Sequence, residues 1–273
     1  MSKIKVLTIS DHPLAPSGVG TQTKYMCEAL LKSGKFQVLS LGGAIKHTDY
    51  KQIQIEPYGK DWRIVPVDNF GTQEQIRSIL RNEKPDILWF MTDPRFFPWL
   101  WEIENEIRSL VPMVYYHVWD NYPVPMFNRP FYISNDVIVT ISKVTDDIVR
   151  QAAPEVERHY LPHAVLPNVF RALTDEEKQK IRKDSLPPED QDKVIFFWNN
   201  RNARRKQSGS LIYWFKEFLD KHDLHDKAQL IMHTDPNDPH GQPLQHLIEH
   251  LGLTKRQVLL STAKIPPENL AAI

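Results

Sequence analysis

The chain has 273 residues, 41% of them hydrophobic, enough to build one or two packed domains of roughly 100–200 residues each. It carries 34 basic and 34 acidic side chains and a formal net charge of zero, which argues against nucleic-acid binding driven by bulk charge. The one cysteine, Cys27, cannot close an internal disulfide, and no apolar run reaches the roughly 20 residues that cross a bilayer, so the chain reads as soluble and cytoplasmic, with peripheral membrane contact left open.

Strand and helix signals alternate. Residues 4–9 read as an opening strand. Residues 23–32 follow with helical spacing, and Gly34 suits the stop. A strand over 36–41 ends at Gly42-Gly43. A helix over 73–82 runs up to Pro85, and a strand covers 87–91. Residues 99–110 read as a helix, 113–117 as a strand, 136–141 as a strand and 143–152 as a helix. Strand-helix alternation predicts parallel pairing in a doubly wound α/β sheet. Residues 174–192 are charged, contain Pro187-Pro188 and show no strand signal, so they read as an interdomain connection with a short helix at 175–182. A second α/β series then begins: strand 194–198, helix 211–220, strand 229–233, helix 243–251, strand 258–260. The expected domains are 1–173 and 193–273, joined by the 174–192 linker. The second is expected to be incomplete, because about 80 residues are few for a doubly wound domain at the norm of roughly 100–200.

The stretch from Val194 to Lys206 carries the sharpest chemical signal. Its apolar start, Val194-Ile195-Phe196-Phe197-Trp198, suits a strand covered on both faces. The loop that follows holds Arg201, Arg204, Arg205 and Lys206, and a helix comes next. Strand, basic loop and helix place cations and helix amides at the carboxyl edge of a parallel sheet, where phosphates bind. An arginine fork grips phosphate oxygens in pairs, and a lysine adds a mobile point charge. The bland alternative is a solvated basic turn.

Three other loops follow strands. Gly18 and Gly20, after the first strand, allow close backbone approach to an anion, although the loop has neither dinucleotide nor P-loop spacing. His117 ends a strand beside Asp120 and Asn121, where it could touch a substrate hydroxyl; a lone histidine among aromatics is more often structural. His233, Asp235, Asp238 and His240 match no standard metal spacing, so no metal site is expected.

Taken in order, these segments resemble the GT-B fold retaining glycosyltransferases of family 4. Pro16-Ser17-Gly18-Val19-Gly20 is similar to that family's glycine loop. The segment 135–142, ending in Ser142, is similar to its strand that ends in serine. Residues 160–170 resemble its crossover, with His163-Ala164 in place of the usual Asn-Gly. Arg201 and Lys206 match the arginine and lysine that hold the donor diphosphate; the usual glycine after that lysine is Gln207 here.

The resemblance implies two Rossmann-like units with parallel sheets, the second incomplete. It implies transfer of a sugar from a nucleoside-diphosphate sugar to an acceptor hydroxyl with retention. Arg201 and Lys206 would bind the diphosphate, Gly18, Val19 and Gly20 would form the glycine loop, and His117 would be catalytic, touching the donor sugar. No cofactor, metal or nucleic acid is implied, and the acceptor (sugar, lipid or protein) is not specified. The family's late loop with two glutamates eight positions apart has no counterpart before Ile273. The expectation is therefore a truncated form with little activity alone, the alternative being a non-catalytic phosphate- or glycan-binding module derived from such an enzyme.

Overall fold

The computed structural model describes residues 2–263, 265, 270 and 271. The chain divides into two compact units, Met1–Ala164 and Val165–Ile273, each with its own sheet.

The first unit runs β1 (Ile4–Asp11), α1 (Gly18–Lys32), β2 (Phe36–Gly43), β3 (Ile53–Ile55), β4 (Gly59–Pro66), α2 (Gln73–Asn82), β5 (Ile87–Met91), α3 (Pro98–Trp101), α4 (Glu104–Arg108), β6 (Met113–His117), α5 (Arg129–Ile133), β7 (Val137–Thr140), α6 (Lys143–Ala152) and β8 (Glu157–Tyr160). Its eight strands lie in the order β3-β4-β2-β1-β5-β6-β7-β8 and pair in parallel except for the β3–β4 hairpin. The order turns back between β1 and β5, so the loop after β1 sits at a switch point, where α/β sheets bind ligands.

Both faces of this sheet are covered. Leu7 and Ile9 of β1 enter a large cluster with Leu39, Phe90, Phe97, Trp101 and Tyr115, while Val6 packs on the opposite side with Trp89, Met91 and Tyr116. That alternation follows from the two-residue period of a strand. Two of the polar groups buried here share one partner: the Thr8 hydroxyl donates to Ser40 at 2.8 Å, and the Trp62 indole donates to the same oxygen at 3.2 Å. Unpaired, such groups would cost about 1–3 kcal/mol each.

Several boundaries differ from expectation for identifiable reasons. Helix α1 begins at Gly18 rather than 23, because the Ser17 hydroxyl caps it by accepting from the Gly20 amide. The helix expected over 99–110 is two short ones. Ile103 interrupts it with φ −111° and ψ 21°, burying its side chain in the core. Strands β3, β4 and β8 are additional to those the sequence pattern predicts. β4 does carry a period-two signal, with Trp62, Ile64 and Pro66 buried, but β8 (Glu157-Arg158-His159-Tyr160) is polar and mostly exposed at a sheet edge.

The second unit runs α7 (Asp175–Ser185), β9 (Val194–Asn199), α8 (Ser208–His222), β10 (Ala228–His233), α9 (Leu244–His250) and β11 (Val258–Ser261). Among the described residues its sheet has three parallel strands, in the order β11-β10-β9. The core joins Ile212, Phe215 and Leu219 of α8 to Leu230 and Met232 of β10, Leu244 and Ile248 of α9, and Val258 of β11. Helix α7 starts with a capping box, Thr174 and Glu177 each bonding the other's backbone amide, yet buries no residue.

The expectation that β9 is covered on both faces is corrected. β9 is an edge strand, and Val194, Phe196 and Phe197 are 59%, 42% and 37% exposed. The apolar run gives strand type, but burial depends on neighbours: among the described residues β10 lies on one side of β9 and no strand on the other. The sequence signal for a central strand instead belongs to β10, buried from Ala228 to Met232.

Candidate functional site

The carboxyl edge of the second sheet holds a group of polar side chains. Register places His233 of β10 opposite Asn199 of β9 and Ser261 of β11. His233 Nδ1 lies 2.9 Å from the Ser261 hydroxyl, and the Thr234 amide donates to the Ser261 carbonyl at 3.0 Å. The Thr234 hydroxyl is buried with no partner among the described residues.

After β9 the chain turns tightly. The Ala203 amide donates to the Arg201 carbonyl at 2.8 Å, and Arg204–Lys206 form one 3-10 turn. Gln207, with φ 50° and ψ 39°, reverses the backbone before α8 begins. A left-handed conformation favours glycine, and this is the position where the resembled family carries one.

Arg201, Arg204, Arg205 and Lys206 are all exposed. Arg201 is held: its Nε donates to Asp238 Oδ2 at 2.5 Å and Nη2 donates to Oδ1 at 3.2 Å. The same pair, chiefly through that hydrogen bond, holds the Asp238 carboxyl down to about 2 and raises the Arg201 guanidinium above its usual range. Both are therefore ionised at neutral pH. Lys206 makes no ion pair among the described residues.

The loop is anchored from beneath by Asn202, which is fully buried. Its amide nitrogen donates to the Gln242 carbonyl at 2.8 Å, and its amide oxygen accepts from the Ser208 hydroxyl at 2.6 Å and the Gln242 amide at 3.2 Å. Gly241 is required here, because a Cβ would lie 2.2 Å from the Asn202 carbonyl oxygen. The Gln242 side chain reaches the start of α8, where its oxygen accepts from the Gly209 amide at 2.8 Å. One amide of that first turn is thus already satisfied within the unit, and the expectation that the helix start presents its amides to a phosphate is narrowed accordingly. Asn202 and Gln242 went unnoticed in the sequence; they are 40 residues apart, and nothing in either segment announces the pairing.

In the first unit the glycine loop is tied to itself. The Ser17 hydroxyl donates to Asp11 at 2.7 Å while capping α1. Gly20 is small for an internal reason: a Cβ there would meet the His12 carbonyl oxygen at 2.7 Å. A Cβ at Gly18 would meet nothing within 4 Å, so its side of the loop is the open one. Val19 packs against the Val6–Trp89 cluster. His12 is buried beside His47, their ring centres 5.7 Å apart, and burial first, then His47, lowers its affinity for a proton.

His117 ends β6 but is fully buried within its unit. Its Nε2 lies 2.8 Å from the Tyr132 hydroxyl, and Nδ1 has no partner among the described residues. Burial holds its pKa down to about 3, so the ring is neutral at physiological pH. Burial likewise pushes the Tyr132 phenol up to about 12. The contact with a donor sugar that the resemblance implies would have to run through Nδ1. The structure therefore brings Arg201 and Lys206 together on one loop of the second unit, and places the glycine loop and His117 at different strand ends of the first.

Solved structures share this fold. A glycosyltransferase from Rickettsia africae superposes with a TM-score of 0.65 at 16% identity, covering 100% of this chain and 72% of its own. A UDP-forming α,α-trehalose-phosphate synthase from Burkholderia xenovorans gives 0.64 at 13% identity, covering 100% and 76%. A structure described as trehalose-6-phosphate from E. coli bound with UDP-2-fluoro glucose gives 0.63 at 11%, covering 97% and 75%.

The fold is that of the GT-B glycosyltransferases. The chain spans about three quarters of the length of these neighbours. No family model matches the sequence, and no curated protein matches it. Among the described residues no helix is long and apolar enough to cross a membrane.

Proposed function

We propose that this chain carries the donor-diphosphate loop of a retaining glycosyltransferase of the family 4 type, an enzyme that moves a sugar from a nucleoside-diphosphate donor to an acceptor hydroxyl, with little transfer expected from these 273 residues alone. The observation that carries the reading is the pair Arg201 and Lys206, exposed on one short loop at the carboxyl edge of β9. Two cations there neutralise charge as it develops on the leaving diphosphate, an electrostatic role that needs fixed geometry rather than proton transfer. The fold supports it, since one neighbour is described as bound with a UDP sugar and another as UDP-forming. Gly18, on the open side of the glycine loop, gives backbone access in the first unit, whereas the unpartnered Nδ1 of His117 is buried, so the role that the resemblance implies for His117 needs that atom to be uncovered on donor binding.

The test is a panel of nucleoside diphosphates and their sugars. Binding is followed by calorimetric titration, and transfer to sugar acceptors by release of the diphosphate, with the product's anomeric configuration read by NMR. Binding of one diphosphate and a product that keeps the donor's configuration support the reading. Failure of every diphosphate to bind, or an inverted product, rejects it.

A further inference from the structure

We infer that Asp238 is a positioning residue for Arg201, fixing one edge of its guanidinium so that the opposite edge faces a diphosphate. This rests on the proposed role of Arg201 in holding that diphosphate.

The geometry separates a fixed end from an open one. The Asp238 side chain is 9% exposed, whereas that of Arg201 is 64% exposed. Asp238 is held by its own turn: Oδ1 accepts from the His240 amide at 2.9 Å, and the Gly241 amide donates to the Asp238 carbonyl at 2.8 Å. That turn is locked to the Arg201 loop through Asn202, whose carbonyl oxygen occupies the space a Gly241 side chain would fill. The carboxylate is thus a rigid reference point.

A guanidinium has five donors in a planar fork. Asp238 uses Nε and one hydrogen of Nη2. Nη1 donates to nothing among the described residues. The edge formed by Nη1 and Nη2 is therefore free to make a second bidentate contact, the one a phosphate accepts. An unsupported arginine spreads over many rotamers and must be immobilised on binding, whereas a braced one has been ordered beforehand. The bond to Asp238 also explains why Arg201 differs from Arg204 and Arg205, which lie on the same loop without an ion pair among the described residues.

The sign of the effect is diagnostic. Removing a carboxylate near an anion site should tighten anion binding if charge alone matters. Removing a brace should weaken it. The experiment is a double-mutant cycle of Asp238→Ala and Arg201→Ala, titrated with uridine diphosphate, guanosine diphosphate, adenosine diphosphate and inorganic pyrophosphate. The expected result is a roughly two- to tenfold loss for Asp238→Ala, the scale of immobilising one flexible side chain, and no further loss when Arg201 is already Ala. A residue that merely holds the loop together would instead cost the same in both backgrounds.

If Asp238→Ala loses its cooperative thermal transition, Asp238→Asn carries the comparison, because it keeps an acceptor for the His240 amide. Unchanged or tighter binding in the Asp238 variant, beside a clear loss in Arg201→Ala, overturns this inference alone. Unchanged binding in Arg201→Ala, or no binding of any of the four probes to the unaltered chain, overturns the diphosphate reading and the inference with it.

Discussion

Replacing Asn202 with alanine should cost the second unit about 2–4 kcal/mol of stability, at about 1–3 kcal/mol for each buried group left without a partner. The figure comes from what the substitution leaves behind. The Gln242 carbonyl and the Gln242 amide both lose their Asn202 partner, at 2.8 and 3.2 Å, and Asn202 itself is fully buried. Water entering the gap recovers part of the upper limit. The Ser208 hydroxyl loses its 2.6 Å acceptor but retains a longer one, the Gln242 side-chain oxygen at 3.4 Å, so it adds little. Urea unfolding measures the loss. With a slope of about 1–3 kcal/mol per molar urea, the midpoint should fall by roughly 1–4 M. Amide exchange over residues 194–242 assigns it to this unit rather than the first. A loss below about 0.5 kcal/mol, the size of an ordinary surface substitution, would show that Asn202 does not clasp the two loops, and the account of how Arg201 is held would fail with it.

Other consequences are as definite. Gly241→Ala should destabilise the same unit in urea, because its methyl would sit 2.2 Å from the Asn202 carbonyl oxygen; full stability would refute that contact. Burial pushes the Cys27 thiol up to about 12, so iodoacetamide should leave it unmodified in the native chain and modify it in urea. Glu83 is held down to about 2, chiefly by its bond to Arg63 and then by Lys5, against an ordinary value of 4.5. A depressed carboxylate stabilises above its unfolded value and loses that contribution as pH falls through the folded one. The gap in melting temperature between the unaltered chain and Glu83→Gln should therefore be full at pH 7 and shrink from about 4.5 downwards; a gap that does not change with pH would count against the pairing.

The elements that the sequence made legible are those whose signal is local. The periodicity and the proline at 85 give α2 and β5 to the residue, and the apolar run from Met113 gives β6. The basic loop between β9 and α8 was readable for the same reason, since its cations lie within six residues of one another. What escaped depends on partners far along the chain. Phe196 and Phe197 look like core residues until it is known which strands flank β9. Asp238 looked like one acid in a polar loop and is instead the anchor of Arg201, 37 residues away. His117 shows both sides of this: its place at a strand end was legible, but its burial against Tyr132 was not, because the helix that supplies Tyr132 gives no sequence sign of where it packs.

The central claim is that Arg201 and Lys206 bind a donor diphosphate, and the most direct test is calorimetric titration of four single variants with the diphosphate that binds best. Arg201→Ala and Lys206→Ala should each weaken binding by roughly tenfold or more, the value of one charge-assisted contact. The melting temperature of Lys206→Ala should stay close to that of the unaltered chain, because an exposed cation without an ion pair adds little to folding, whereas Arg201→Ala should show a small drop because it leaves the Asp238 carboxylate without its partner. Arg204→Ala and Arg205→Ala should bind nearly as well as the unaltered chain. If Arg201→Ala and Lys206→Ala bind as tightly as the unaltered chain, the loop is a solvated turn and the claim is contradicted.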